Sequence, residues 1–159
     1  MKNNNYKKGV GAIEIIISLA ILSLIAVVVI PSLSGFKNHQ VLVNTAEDVV
    51  SLLNKARTET LASKNSNYYS VHFESNRAVL FTGGVFNNGD SNNYVVNFDS
   101  AVSIPSTGGI NLNGGGTDVI FTRLTGDTNQ NGNIVIQLNS DNNQKKIITI
   151  RKTGVSSSN

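Results

Sequence analysis

The sequence predicts an α+β fold: a long N-terminal α-helix, its first half membrane-spanning, packed on a C-terminal antiparallel β-sheet or small β-sandwich. Three observations carry that expectation. The run Val10–Ile30 contains one charge, Glu14, among apolar or small side chains, and at about 1.5 Å of rise per residue such a helix reaches roughly 30 Å, the thickness of a bilayer's hydrocarbon core. Beyond it, Leu42, Ala46, Val49, Leu53, Ala56 and Thr60 recur at steps of four and three, the stripe of a helix with one face on a core. From Tyr68 onward, short β-rich runs alternate with clusters of Asn, Gly, Ser and Asp, and the lack of an intervening helical pattern favours antiparallel pairing behind one helix.

Lys2, Lys7 and Lys8 precede the apolar run, and positive charge there holds that end in the cytoplasm while the remainder is sent across. These three lysines equal the whole formal net charge of +3, so the chain after Gly9 is formally neutral and the high pI implies no acidic partner. A secretory signal peptide has a shorter apolar core and a small-x-small cleavage site before the mature chain; this run fits neither feature. A plain anchor leaves Glu14 unexplained, because a carboxylate at bilayer depth costs on the order of 3 kcal/mol and calls for a partner. The nearest candidate is an α-amino group.

Pro31, followed by Ser32, Ser34 and Gly35, is expected to kink the helix, since proline removes a backbone donor and crowds the preceding turn. The helix then resumes and ends in the polar cluster Ser63–Asn67. Strands are expected at 68–73, 78–82, 94–98, 101–104, 118–123, 133–138 and 146–151. The Gly, Asn and Ser-rich stretches 87–93 and 106–117 are expected as loops. The chain therefore divides into residues 1–9, the apolar half-helix 10–30, the amphipathic half-helix 31–67 and a β-rich domain 68–159, with no cysteine to staple any of it.

Little in the sequence points to catalysis. His39 and His72 lack a Ser, Cys or carboxylate constellation of recognisable spacing, and Gly114-Gly115-Gly116 leads into Thr117-Asp118 without the lysine of a phosphate loop. The string Asp127-Thr128-Asn129-Gln130-Asn131-Gly132 copies the first half of an EF-hand loop, but the twelfth position, Leu138, has no carboxylate and the string lies between strands. An Asn/Gly turn is the reading adopted. The chain is expected to be no enzyme and to hold no cofactor or metal. Arg123, Lys145, Lys146, Arg151 and Lys152 form a candidate nucleic-acid patch near the C-terminus.

Lys7-Lys8-Gly9, then Val10-Gly11-Ala12-Ile13-Glu14, then a long aliphatic run closed by Pro31 closely resembles the class III signal of type IV pilins and type II secretion pseudopilins. Val10, Gly11 and Ala12 depart from the phenylalanine and Thr-Leu usual there. Leu52–Thr60, with Val119-Ile120-Phe121, Leu124, Gly126, Ile134–Ile136, Ile147–Ile150 and Gly154-Val155, is similar to the GspH/FimT group of minor pseudopilins and minor pilins over most of the chain.

The resemblance implies a leader, 1–9, cut by a prepilin peptidase between Gly9 and Val10, with N-methylation of Val10, and assigns Glu14 to neutralise that amino group on a neighbouring subunit. It implies a single pass through a bacterial inner membrane, N-terminus cytoplasmic before processing and C-terminal domain periplasmic, followed by entry into a filament or its tip. The implied partners are other pilin or pseudopilin subunits, the peptidase, the inner-membrane assembly platform and the inner membrane. The implied function is a minor pilin or pseudopilin, a structural component of a type IV pilus or type II secretion filament. The alternatives are a DNA-binding competence minor pilin and a membrane-anchored periplasmic domain that does not assemble. Some relatives capture DNA through an arginine after the glycine near the C-terminus; here Gly154 is followed by Val155-Ser156-Ser157-Ser158, so that site does not carry over.

Intact-mass measurement after co-expression with an active prepilin peptidase is expected to show a chain that begins at Val10 and carries one added methyl group. A product still bearing Met1–Gly9 overturns this processing site.

Overall fold

The computed structural model describes residues 11–159, and the side chains of that range apart from 28–34. Helix α1 spans Ala12–Leu61. Nine strands follow: β1 Tyr69–Glu74, β2 Arg77–Thr82, β3 Tyr94–Asn97, β4 Val102–Ser103, β5 Ile110–Leu112, β6 Asp118–Ile120, β7 Gly132–Leu138, β8 Lys145–Ile150 and β9 Ser156–Ser158. The chain forms two compact units, 1–37 and 38–159.

One expectation is overturned at once. Among the described residues, no helix is long and apolar enough to cross a membrane. The membrane-spanning first half of the helix, and the single-pass inner-membrane placement that rested on it, are corrected accordingly. The helix itself is continuous through Pro31, whose side chain lies outside the description, as do Gly9 and Val10.

In the second unit, the stripe of α1 is the floor of the core. Leu42, Ala46, Val49, Leu52, Leu53 and Ala56 are buried, while Glu47, Asp48, Asn54, Lys55 and Thr58 between them face water, as a 3.6-residue period requires when one face is covered. They share a single apolar cluster with Val71, Phe73, Ala78, Leu80, Val119 and Phe121 on one sheet side and Ile134, Ile136, Leu138, Ile148 and Ile150 on the other. Thr60 closes the stripe. Its hydroxyl accepts from Tyr69 N at 2.8 Å and donates to Tyr69 O at 3.3 Å, so a fully buried polar side chain takes up the backbone of the first strand residue. The chain turns between them through Ser63, Asn65 and Ser66, all at positive φ.

The strands form two antiparallel sheets. The first has the order β3-β2-β1-β6 and the second β4-β7-β8-β9, with β5 also on β7. The β1–β2 register pairs Glu74 with Arg77 across a two-residue turn, and β7–β8 pairs Ile134 with Ile148 and Ile136 with Lys146. Alternation sets Val71 and Phe73 toward the helix and His72 and Glu74 away from it. The outer face of the first sheet is covered in its turn: Phe86 stacks on His72 at 3.9 Å and meets Phe81 edge-on at 5.5 Å, and Ser70 Oγ donates to Gly83 O. Gly83 and Phe86 thus lie against the sheet, and the expected loop 87–93 follows them without helix or strand.

Two strands lie where none is expected. β5 falls inside the Gly-rich 106–117 stretch, held where Gly132, φ 157°, lets the backbone of Asn111 approach so closely that a Cβ would sit 2.0 Å from its carbonyl oxygen. β9 is three serines paired to Ile148–Ile150.

Thr60→Val keeps the shape of the stripe but leaves the buried Tyr69 N–H without its partner. Urea unfolding is expected to show a loss of about 2 kcal/mol, and a loss below about 0.5 kcal/mol would remove Thr60 from its bridging role.

Candidate functional site

Among the described residues, the first unit carries the largest concentration of exposed large apolar side chains. Ile13, Ile15, Ile16, Ile17, Leu19, Ile21, Leu22, Leu24, Ile25 and Val27 are each more than half exposed. They recur at two of every three positions and therefore point in every direction around α1, a pattern that belongs to helices surrounded by other apolar matter. Each such side chain gains about 1.5 to 3 kcal/mol when fully buried. Glu14, also exposed, is the acidic residue of the first turn, where the N-terminal end of the helix dipole favours a carboxylate. Gly11 O accepts from Glu14 N and Ile15 N, and Ser18 Oγ returns to Glu14 O at 2.8 Å.

The C-terminal basic patch is divided by the structure. Lys145 and Lys146 open β8, whereas Arg151 and Lys152 follow its last residue; at about 3.3 Å per residue, Lys145 and Arg151 stand roughly 20 Å apart. Arg123 joins the second pair only. The loop Thr122–Asp127 closes on itself through Thr122 N to Asp127 O and Gly126 N to Thr122 O, and the turn Arg151–Val155 does so through Gly154 N to Arg151 O and Arg151 N to Val155 O. Thr128 N donates to Lys152 O, so the two loops lie side by side.

Arg57 locks that pair together, and sequence reading overlooks it. Its Nε donates to Gly126 O and to Thr153 O, both at 3.2 Å. Gly126 and Gly154 are at φ 66° and 76°, and a Cβ on Gly154 would lie 1.9 Å from Gly126 O and 3.0 Å from Arg57 Nε, so glycine is required there twice over, by backbone angle and by contact. The available signal was Arg57 on the border of the core stripe, opposite two widely spaced glycines. At the tip, Leu124 holds φ 69° with 79% of its surface exposed, a left-handed conformation that costs an L-residue about 1–2 kcal/mol.

A second polar cluster lies on the outer face of the first sheet. His72 Nδ1 meets Asp118 Oδ1 at 2.5 Å and its Nε2 stands 3.7 Å from Glu74 Oε1; Arg77 binds Glu74 through two nitrogens, at 2.9 and 2.7 Å, and passes to Asn88 Oδ1 at 3.0 Å. The Arg77 guanidinium holds the Glu74 carboxyl below the usual glutamate range, with a smaller contribution from His72. Both ends of the His72 ring face carboxylates and its plane is under Phe86, which suits a structural anchor for that ring. His39 is exposed on α1.

In the string Asp127–Gly132, Thr128 is buried and Gln130 Oε1 accepts from Ile120 N and Thr128 Oγ1; the two residues between the alternating positions Asp127, Asn129 and Asn131 are therefore bonded into the fold. Among the described residues no group of three or more His, Cys, Asp or Glu is arranged to hold a metal ion.

Comparison with known proteins gives no matching family model, no matching curated protein and no matching solved structure.

Glu74, with its native pKa lowered, contributes stability that is present above the ordinary glutamate range and is lost as pH falls through the native value. Removal of its cation by Arg77→Gln is expected to lower the melting temperature at neutral pH by an amount that shrinks toward pH ~3. A deficit that stays constant across thermal melts over that range would show that Arg77 acts through packing and Asn88 instead.

Proposed function

We propose that this chain is a non-enzymatic filament subunit of the pilin or pseudopilin kind, which assembles with other subunits through the apolar segment of α1. The observation that carries the reading is the exposure of ten large aliphatic side chains on all sides of Ala12–Val27. Dispersed in water that surface is unfavourable; surrounded by equivalent helices it supplies the association energy. The single carboxylate on the segment, Glu14, fits an ionic contact with an amino group of a neighbouring subunit, and the N-terminal motif makes the methylated amine of Val10 after cleavage at Gly9 the candidate. The second unit, with its separate core, is the part that such a filament displays.

A DNA-capturing role is the weaker reading, because the five basic residues assigned to it divide between two ends of β8.

The test is disulfide trapping in a chain that has no native cysteine. Single cysteines at Ile16 and Leu24 are expected to cross-link between copies, and Glu14→Gln is expected to reduce the trapped fraction on the order of tenfold, because it removes a charge pair formed away from water. Equal trapping with and without the Glu14 carboxylate would reduce the segment to non-specific apolar association and refute the assembly role.

A further inference from the structure

Six large apolar residues of the second unit are conspicuously exposed, namely Leu61, Val85, Tyr94, Val95, Leu124 and Val155. Three of them, Leu61, Leu124 and Val155, gather at the end where Arg57 clamps the loops 122–127 and 151–155. Leu61 Cγ lies 3.0 Å from the position a Cβ would take on Gly126, Leu124 is two residues from that glycine, and Val155 follows Gly154, which touches the Gly126 carbonyl. The same two loops carry the exposed cations Arg123, Arg151 and Lys152. Against them stands Asp127, while Glu59 nearby on α1 is paired with Lys64 at 2.8 Å.

Core packing does not account for Leu124. It points 79% of its surface to solvent from a left-handed backbone, an arrangement in which glycine would be easier and a polar residue more soluble. An aliphatic tip ringed by arginine and lysine matches a surface that is anionic outside and apolar just beneath. We propose that this end of the second unit docks on an anionic lipid bilayer, with Leu124 and Val155 entering the boundary between headgroups and acyl chains and Arg123, Arg151 and Lys152 binding lipid phosphates. This contact is peripheral, and it is independent of the filament reading. Nucleic acid shares the phosphate chemistry, but neither loop has an aromatic ring on which a base could stack, and an exposed leucine gains nothing from a phosphate backbone.

Because the apolar segment of α1 can itself bind lipid, the test must report on the loop alone. The chain lacks cysteine, so Thr125→Cys in the full chain takes a single environment-sensitive fluorophore, with Asn142→Cys as a site at the turn between β7 and β8. On vesicles containing phosphatidylglycerol, the label at 125 is expected to shift to the blue and to be quenched by acyl-chain bromine, the label at 142 to do neither, and phosphatidylcholine vesicles to produce little change. Added salt weakens the response. Leu124→Gly is expected to abolish bromine quenching while thermal stability holds or rises, since the left-handed strain is relieved, a split that loss of folding cannot mimic. Replacement of Arg123, Arg151 and Lys152 by Gln together is expected to lower the apparent partition of the loop about a hundredfold. The proposal is overturned if the label at 125 is silent on anionic vesicles to which the protein is bound, if Leu124→Gly quenches as the parent does, or if duplex DNA and not lipid changes the label.

Discussion

Everything in the second unit depends on one buried stripe. Leu42, Ala46, Val49, Leu53 and Ala56 of α1 share one apolar cluster with the inner residues of both sheets, and Thr60 is buried at the end of the same stripe. A two-sheet arrangement of short strands, several of only two or three residues, gains little from its own pairing; its stability comes from the inner side chains that interlock on the helix. The polar end of the stripe, Thr60, is where helix and sheet are bonded as well as packed, and the left-handed residues Ser63, Asn65 and Ser66 are the backbone cost of returning the chain onto its own helix so soon.

The two parts of α1 show the same chemistry used with opposite periodicities. Between 42 and 60 the apolar residues come back every three or four positions, and the core covers them. Between 12 and 27 they come at nearly every position, and they are exposed. A helix of the second kind is stable in company only, and among the described residues no helix is long and apolar enough to cross a membrane. Packing against other helices has no such length requirement, which is why subunit assembly survives as the reading after the membrane span is withdrawn.

At the far end of the stripe, Arg57 carries out a different job. A guanidinium presents several donors in a fixed plane, and here its Nε holds two loop carbonyls that belong to segments 27 residues apart, Gly126 and Thr153. With the loops fixed by backbone bonds and by two glycines at positive φ, their tips are free to carry side chains that contribute nothing to the core. His72 does comparable work on the outer face, where Asp118 and Glu74 flank its ring and Phe86 stacks on it.

The amphipathic stripe, the end of the helix near Ser63 and seven of the nine strands are legible in the sequence, because periodicity and β-branched runs are local properties that burial then uses. β5 and β9 are not: Ile110-Asn111-Leu112 is too short to show a period, and Ser156–Ser158 has no strand-forming side chain at all, so only the open edges of β7 and β8 make them strands. The motif around Gly9, Val10 and Glu14 is a property of sequence alone. The division of the basic patch, the pairing of Arg57 with Gly126 and Thr153, and the anchoring of His72 were decided by tertiary structure, since each depends on which residues the sheet order brings side by side across 40 to 100 positions, a separation over which composition and spacing carry no information.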